Sequence, residues 1–95
     1  MSMIVHNIKG TSDRNPKGYG SWIDFWLKKN KCGITTLCAC CNESTWEVGG
    51  HVQEHGNETR DFWYIVPLCK KCNNVNNNKT FNVDKNQLVK VNDND

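Results

Sequence analysis

Apolar residues are scarce in this chain, at 37% of its 95 residues against roughly 45–50% in ordinary globular domains. A chain this short buries only about 60–65% of the surface its unfolded form exposes. The core is therefore thin, and a covalent or metal staple is expected. Long apolar runs are also missing. Met1–Asn7 has no stretch that could serve as the core of a secretory leader, and no later run is long enough to span a bilayer. The expectation is a cytoplasmic protein with no membrane partner, in a compartment that keeps thiols reduced. Neither sign of charge dominates, with a formal net charge of +2. That is a weak footprint for nucleic acid, which normally meets a basic face. There is no internal repeat and no linker, so residues 1–95 read as one domain.

Six cysteines are present. Two pairs have the same short spacing, Cys38/Cys41 and Cys69/Cys72, with 27 residues between them. In a reducing compartment that pattern reads as a metal site rather than a disulfide framework. Zn²⁺ takes four soft ligands in a tetrahedron, and each pair supplies two with little loop entropy. Cys38, Cys41, Cys69 and Cys72 are thus the expected ligands of a structural Zn²⁺. Four thiolates and one Zn²⁺ together add two negative charges, which brings the loaded protein near neutrality. Cys32 and Cys40 are left over and read as free thiols. Cys40, lying between two ligands, should point away from the ion.

The pass along the chain places elements around this site. Residues 1–20 read as irregular, with one short extended segment around Ile4–Ile8. Residues 21–30 carry a helix signal over about 22–29. Ser21 is the N-cap, Asp24 makes an acidic variant of the capping box, and Lys28 and Lys29 suit the C-terminal dipole. Trp22/Trp26 and Ile23/Leu27 fall at i, i+4, so Trp22, Ile23, Trp26 and Phe25 form an apolar face that reads as core packing. Leu37–Asn42 reads as a metal knuckle, with Asn42 at a residue that needs positive φ. Trp46–Val52 and Phe62–Pro67 read as a hairpin. A short helix is expected to start after Cys69-Lys70-Lys71-Cys72, in the cluster Asn73, Asn74, Asn76, Asn77 and Asn78. Residues 81–91 read as a final strand or hairpin, and 92–95 as a frayed tail.

Knuckle, hairpin, then a cysteine pair at a helix N-terminus is the treble-clef arrangement. Gly49-Gly50-His51-Val52 followed by Pro67-Leu68-Cys69-Lys70-Lys71-Cys72-Asn73 resembles the HNH endonuclease family over about residues 38–80. The resemblance implies a small α+β zinc domain, a treble clef with an HNH-like ββα core and an N-terminal Trp-rich helix. It also implies a metal-dependent nuclease site using Mg²⁺ or Mn²⁺. His51 matches the family's general base, and Asn73 matches its helix position. Gly50 stands where the metal-binding acid is expected, and Tyr64 or a neighbour stands where the orienting Asn is expected. A catalytic Mg²⁺ wants oxygen ligands, and one Asn amide is a poor set. Glu47, Glu54 and Asp61 are the acids that could replace the missing one.

The whole chain is similar to a group of small bacterial and phage proteins. The shared elements are Asn7–Ser12, Ser21–Trp26, Cys38/Cys41, Gly49–Val52, Tyr64–Asn73 and Leu88–Val89. That similarity brings no activity with it, but together with the small size and the many Asn residues it fits a phage accessory protein, such as an inhibitor of a host factor, acting in the host cytoplasm.

His51 keeps three readings: a donor to a cysteine sulfur or backbone carbonyl beside the zinc, a binding-surface residue, or a general base. His55 reads as a solvated turn residue. Lys70, Lys71 and Lys79, with Arg60, read as a solvated face or as phosphate contacts. Three functions follow. The first, preferred, is a catalytically degenerate HNH-like zinc module that binds a protein. The second is a metal-dependent HNH-type endonuclease using His51 and Asn73. The third is a nucleic-acid-binding zinc module without cleavage. The missing acid weighs against the second, and the near-neutral loaded charge against the third.

Overall fold

The computed structural model describes residues 2–8, 16–30, 33, 36–56, 63–74 and 79–91. They form one helix, α1 (Trp22–Lys29), and five strands, β1 (Ser2–Asn7), β2 (Val48–Glu54), β3 (Trp63–Leu68), β4 (Thr80–Asp84) and β5 (Val89–Val91). The strands make a single antiparallel sheet in the order β4-β1-β2-β3-β5. The small α+β class expected from the sequence is present.

The helix forms where its local signals place it. Ser21 is extended, at φ −161° and ψ 169°, and its Oγ accepts from the Asp24 N–H. The hydroxyl in turn donates to Asp24 Oδ2 at 3.1 Å. At the other end the Asn30 side-chain amide donates to the Leu27 carbonyl, an acceptor the helix end leaves open, and to the Trp26 carbonyl, which also accepts the Asn30 backbone N–H. The apolar face differs by one step from the expected one. Trp22, Phe25 and Trp26 are buried, while Ile23 is only partly covered. Phe25 turns inward to meet Trp22 and Tyr19 edge to face.

Each face of the sheet carries its own core. Side chains alternate along a strand. Ile65, Val89 and Val91 therefore pack with Trp22, Phe25 and Trp26 on the helix face. Val5, Val52, Val66, Leu68 and Val83 pack with Cys38, Ala39 and Cys69 on the other, the cysteine face. Pro67 lies beyond the three residues of β3 that pair with β5, where no ladder bond on that side is lost.

One expectation is refined and two change. The short extended segment expected near the N-terminus is the strand Ser2–Asn7, and it lies inside the sheet rather than apart from it, paired with β4 on one side and β2 on the other. The stretch 81–91 is not a hairpin. A 3-10 turn at Lys85–Gln87, capped by Asp84 Oδ1, separates β4 from β5, and the two strands join opposite edges of the sheet. Residues 70–73 form a turn rather than the start of a helix. The remainder of that expected helix falls on 75–78, outside the described residues, as do Cys32, Arg60, Asp61 and the tail 92–95.

Candidate metal centre

Two turns of similar design hold the cysteine pairs. In the first, the Asn42 N–H closes back on the Cys38 carbonyl at 2.9 Å, and Asn42 takes φ 56°, as its place after the knuckle predicts. The turn is fastened at its base by the Cys38 N–H to the Ser44 carbonyl and the Ala39 N–H to the Pro67 carbonyl, both 2.8 Å. In the second, the Asn73 N–H closes on the Cys69 carbonyl at 3.0 Å. The Glu47 carboxylate accepts from the Lys70 N–H, and the Asn7 amide donates to the Cys72 carbonyl at 2.7 Å. The first knuckle thus hangs from β3, and the second is tied to β1 as well.

The turns face each other across the end of the β2–β3 hairpin. The sulfurs of Cys38, Cys41, Cys69 and Cys72 all lie within 4.8 Å of one another. A tetrahedral Zn²⁺ with bonds near 2.3 Å sets sulfurs about 3.8 Å apart, so a small contraction closes the shell. The four cysteines named from spacing are the four brought together, and a metal ion fits this donor set.

The chemistry of the thiols suits a cation. Burial pushes the Cys72 thiol up strongly, and the hydrogen bonds it donates to the Cys69, Cys40 and Cys38 sulfurs hold its proton further. The backbone N–H groups of Ser44 and then Glu43 pull Cys41 down to about 6. One member of the cluster therefore favours the thiolate and another resists it. A divalent ion removes that conflict, because thiolates are its ligands and binding releases their protons. Cys40 stands outside the four-sulfur set but does not simply point away. Burial raises its thiol, and its sulfur accepts a hydrogen bond from the Cys72 thiol.

His51 and Asn73 are not brought together. His51 points into the helix face, buried between Trp22 (ring centroids 4.8 Å apart) and Trp63 (6.0 Å). The cysteines pack on the other face. Asn73 lies on the cysteine face, its Oδ1 2.9 Å from where a Cβ on Gly50 would sit. That same Cβ position would overlap Leu68 Cδ1. The place where an acidic ligand is expected is thus filled by packing. Tyr64 packs against the cysteine-face core. Glu47 holds the second knuckle by its carboxylate. Lys70, Lys71 and Lys79 are exposed. Beside the cluster runs a groove of about 590 Å³, lined among others by Cys40, Cys41, Glu43, Lys71, Lys79 and Phe81.

Asn7 is the residue that sequence reasoning missed. It was visible only as part of a shared pattern, and its contact spans 65 residues of chain. Asn7→Ala removes one bond to the carbonyl of a ligand residue, a loss of about 1 kcal/mol. Metal affinity should fall about fivefold, measured by competition with a chromophoric chelator. Unchanged affinity would make Asn7 a passive neighbour.

No helix among the described residues is long and apolar enough to cross a membrane. Comparison of the chain with protein-family models, with curated proteins and with solved structures gives no match.

Proposed function

We propose that the protein is a binding module stapled by one structural Zn²⁺, HNH-like in outline but without a nuclease centre, and that its partner is another protein. The observation that carries this reading is the filled position at Gly50. An Asp or His there would overlap Leu68 and Asn73. A catalytic Mg²⁺ or Mn²⁺ would have no oxygen ligand at the place the family uses. The arrangement of His51 argues the same way. A general base must reach the water it activates, and this ring is enclosed by two tryptophans on the face away from Asn73. The likeness to HNH proteins rests on the order of knuckle, β2–β3 hairpin and second cysteine pair.

Protein is favoured over nucleic acid by local charge. A zinc tetrathiolate carries two negative charges, and Glu43 adds a third beside it. Lys71 and Lys79 in the same groove roughly offset them. Such a surface lacks the excess of cations that phosphate recognition needs.

The zinc-loaded protein should leave plasmid and single-stranded DNA intact in the presence of Mg²⁺ or Mn²⁺. Its DNA affinity should be weak and nearly flat in salt. Cleavage that disappears in a folded His51→Gln variant would replace this reading with the nuclease. Tight binding whose logarithm falls linearly with log salt would replace it with the nucleic-acid module.

A further inference from the structure

His6 and His55 meet across the β1–β2 ladder, away from the cysteine cluster. Strand alternation puts His6 on the helix face of the sheet, since Val5 beside it points into the cysteine-face core. His55 follows β2 by one residue, and its backbone N–H donates to the Ile4 carbonyl at 2.9 Å, which extends the β1–β2 ladder by one step. The two rings stand at 90° with centroids 5.3 Å apart, and their Nδ1 atoms share a hydrogen bond at 3.2 Å, whose proton a cation bound by both nitrogens would replace.

We infer that His6 and His55 form a second metal site, one that takes a late first-row divalent cation such as Ni²⁺, Cu²⁺ or Zn²⁺ through both Nδ1 atoms. The bite carries the argument. With metal–nitrogen bonds of about 2.0–2.1 Å, two imidazoles lie about 2.9 Å apart at a right angle and about 3.4 Å apart at a tetrahedral one. The observed 3.2 Å falls between these limits. A cation can therefore enter by small ring rotations, with the strands left in register. Imidazole is the preferred donor for this class of ion, whereas Mg²⁺ and Ca²⁺ favour oxygen. His55 is exposed and His6 half-covered, so the pair is reachable and its other coordination positions open to water. The site is separate from the four-cysteine cluster in ligand type: it is open and nitrogen-based, whereas the cluster is closed and sulfur-based.

The test is titration of the zinc-loaded protein with Ni²⁺, read by calorimetry and by NMR of the histidine rings. One equivalent should bind with the zinc content unchanged, and the strongest perturbation should fall on His6 and His55. Because the chelate needs both rings, His6→Asn and His55→Asn should each weaken binding by at least about tenfold while leaving the backbone amide spectrum otherwise intact. Both sites are on the surface, so the variants should fold. Equal Ni²⁺ binding by the double variant, a perturbation centred on other residues, or no uptake by the parent protein would overturn the assignment.

Discussion

Stripping the metal from the four-cysteine cluster is expected to unfold most of the described chain. The cysteine-face core is built partly from the ligands: Cys38 and Cys69 are buried in it beside Val5, Val52, Val66, Leu68 and Val83. Metal binding in small cysteine-rich domains supplies about 10–16 kcal/mol of apparent free energy. Ordinary domains have a total stability of about 5–15 kcal/mol. With little more than a third of the chain apolar and two shallow cores, little remains once the ion is gone. A chelator of high zinc affinity should collapse the amide dispersion in NMR, and added Zn²⁺ should restore it. Cys38→Ser and Cys69→Ser should be unfolded or insoluble. Acid should do what the chelator does, because protons compete for thiolates. A metal-free protein that keeps its native spectrum would show that the sheet stands without its staple.

Gly49→Ala should be the most damaging conservative change outside the cysteines. A Cβ at Gly49 would lie 2.7 Å from Ile23 N, 2.7 Å from Trp22 C and 2.9 Å from Trp22 O. All three are backbone atoms in the first turn of α1, so no rotamer change relieves the overlap. The helix must lift from the sheet, and with it the packing of Trp22 and Trp26 against Ile65 and Val91. Overpacking of this kind costs about 1–3 kcal/mol, and the rigid neighbour puts this site at the upper end. For a domain of this size each 1 kcal/mol lowers Tm by about 4–8 °C. Gly50→Ala makes a useful contrast. Its nearest neighbours are the end of the Leu68 side chain and Asn73 Oδ1, which can shift. Thermal melts of the metal-loaded proteins should rank Gly49→Ala below Gly50→Ala, with both below the parent. The reverse order would mean that the helix rides more loosely than its contacts indicate.

The two glycines also show where sequence reasoning reached and where it stopped. The cysteine ligands, the capped helix and the β2–β3 hairpin were legible because each depends on residues close in sequence. Two ligands come from one short turn, Ser21 caps its own helix, and β2 and β3 are near neighbours along the chain. The facing of His51 was not legible. Gly49 and Gly50 precede it and carry no side chains to reveal which face is which. What makes Gly49-Gly50-His51 resemble a catalytic strand also has a packing cause: helix backbone lies against one glycine and Leu68 against the other. The strand character of Ser2–Asn7 was seen in part, but its internal position was not, since its pairing with Thr80–Asp84 leaves no local trace. The same holds for the split of β4 and β5 to opposite edges. The turn after Cys69 reads as a helix start because a cysteine pair specifies its own turn and leaves the conformation of the next residues open.

The sheet order carries a kinetic consequence. The hairpin β2–β3 lies between strands drawn from distant parts of the chain, and the outermost ladder joins Ser2 to Asp84, 82 residues apart in sequence. Contacts of that range make a small protein slow to fold, on the millisecond-to-second scale rather than in microseconds. The cysteine pairs are separated by far less chain, and an ion that joins them closes the intervening loop before either outer strand has docked. Metal capture would then act as the nucleating step, converting a search among remote segments into the addition of β1, β4 and β5 to a hairpin already pinned at one end. Refolding started by adding Zn²⁺ to the stripped chain should accelerate with zinc concentration until loop closure ceases to limit it, and the edge pairings should appear in hydrogen exchange as the last protected amides.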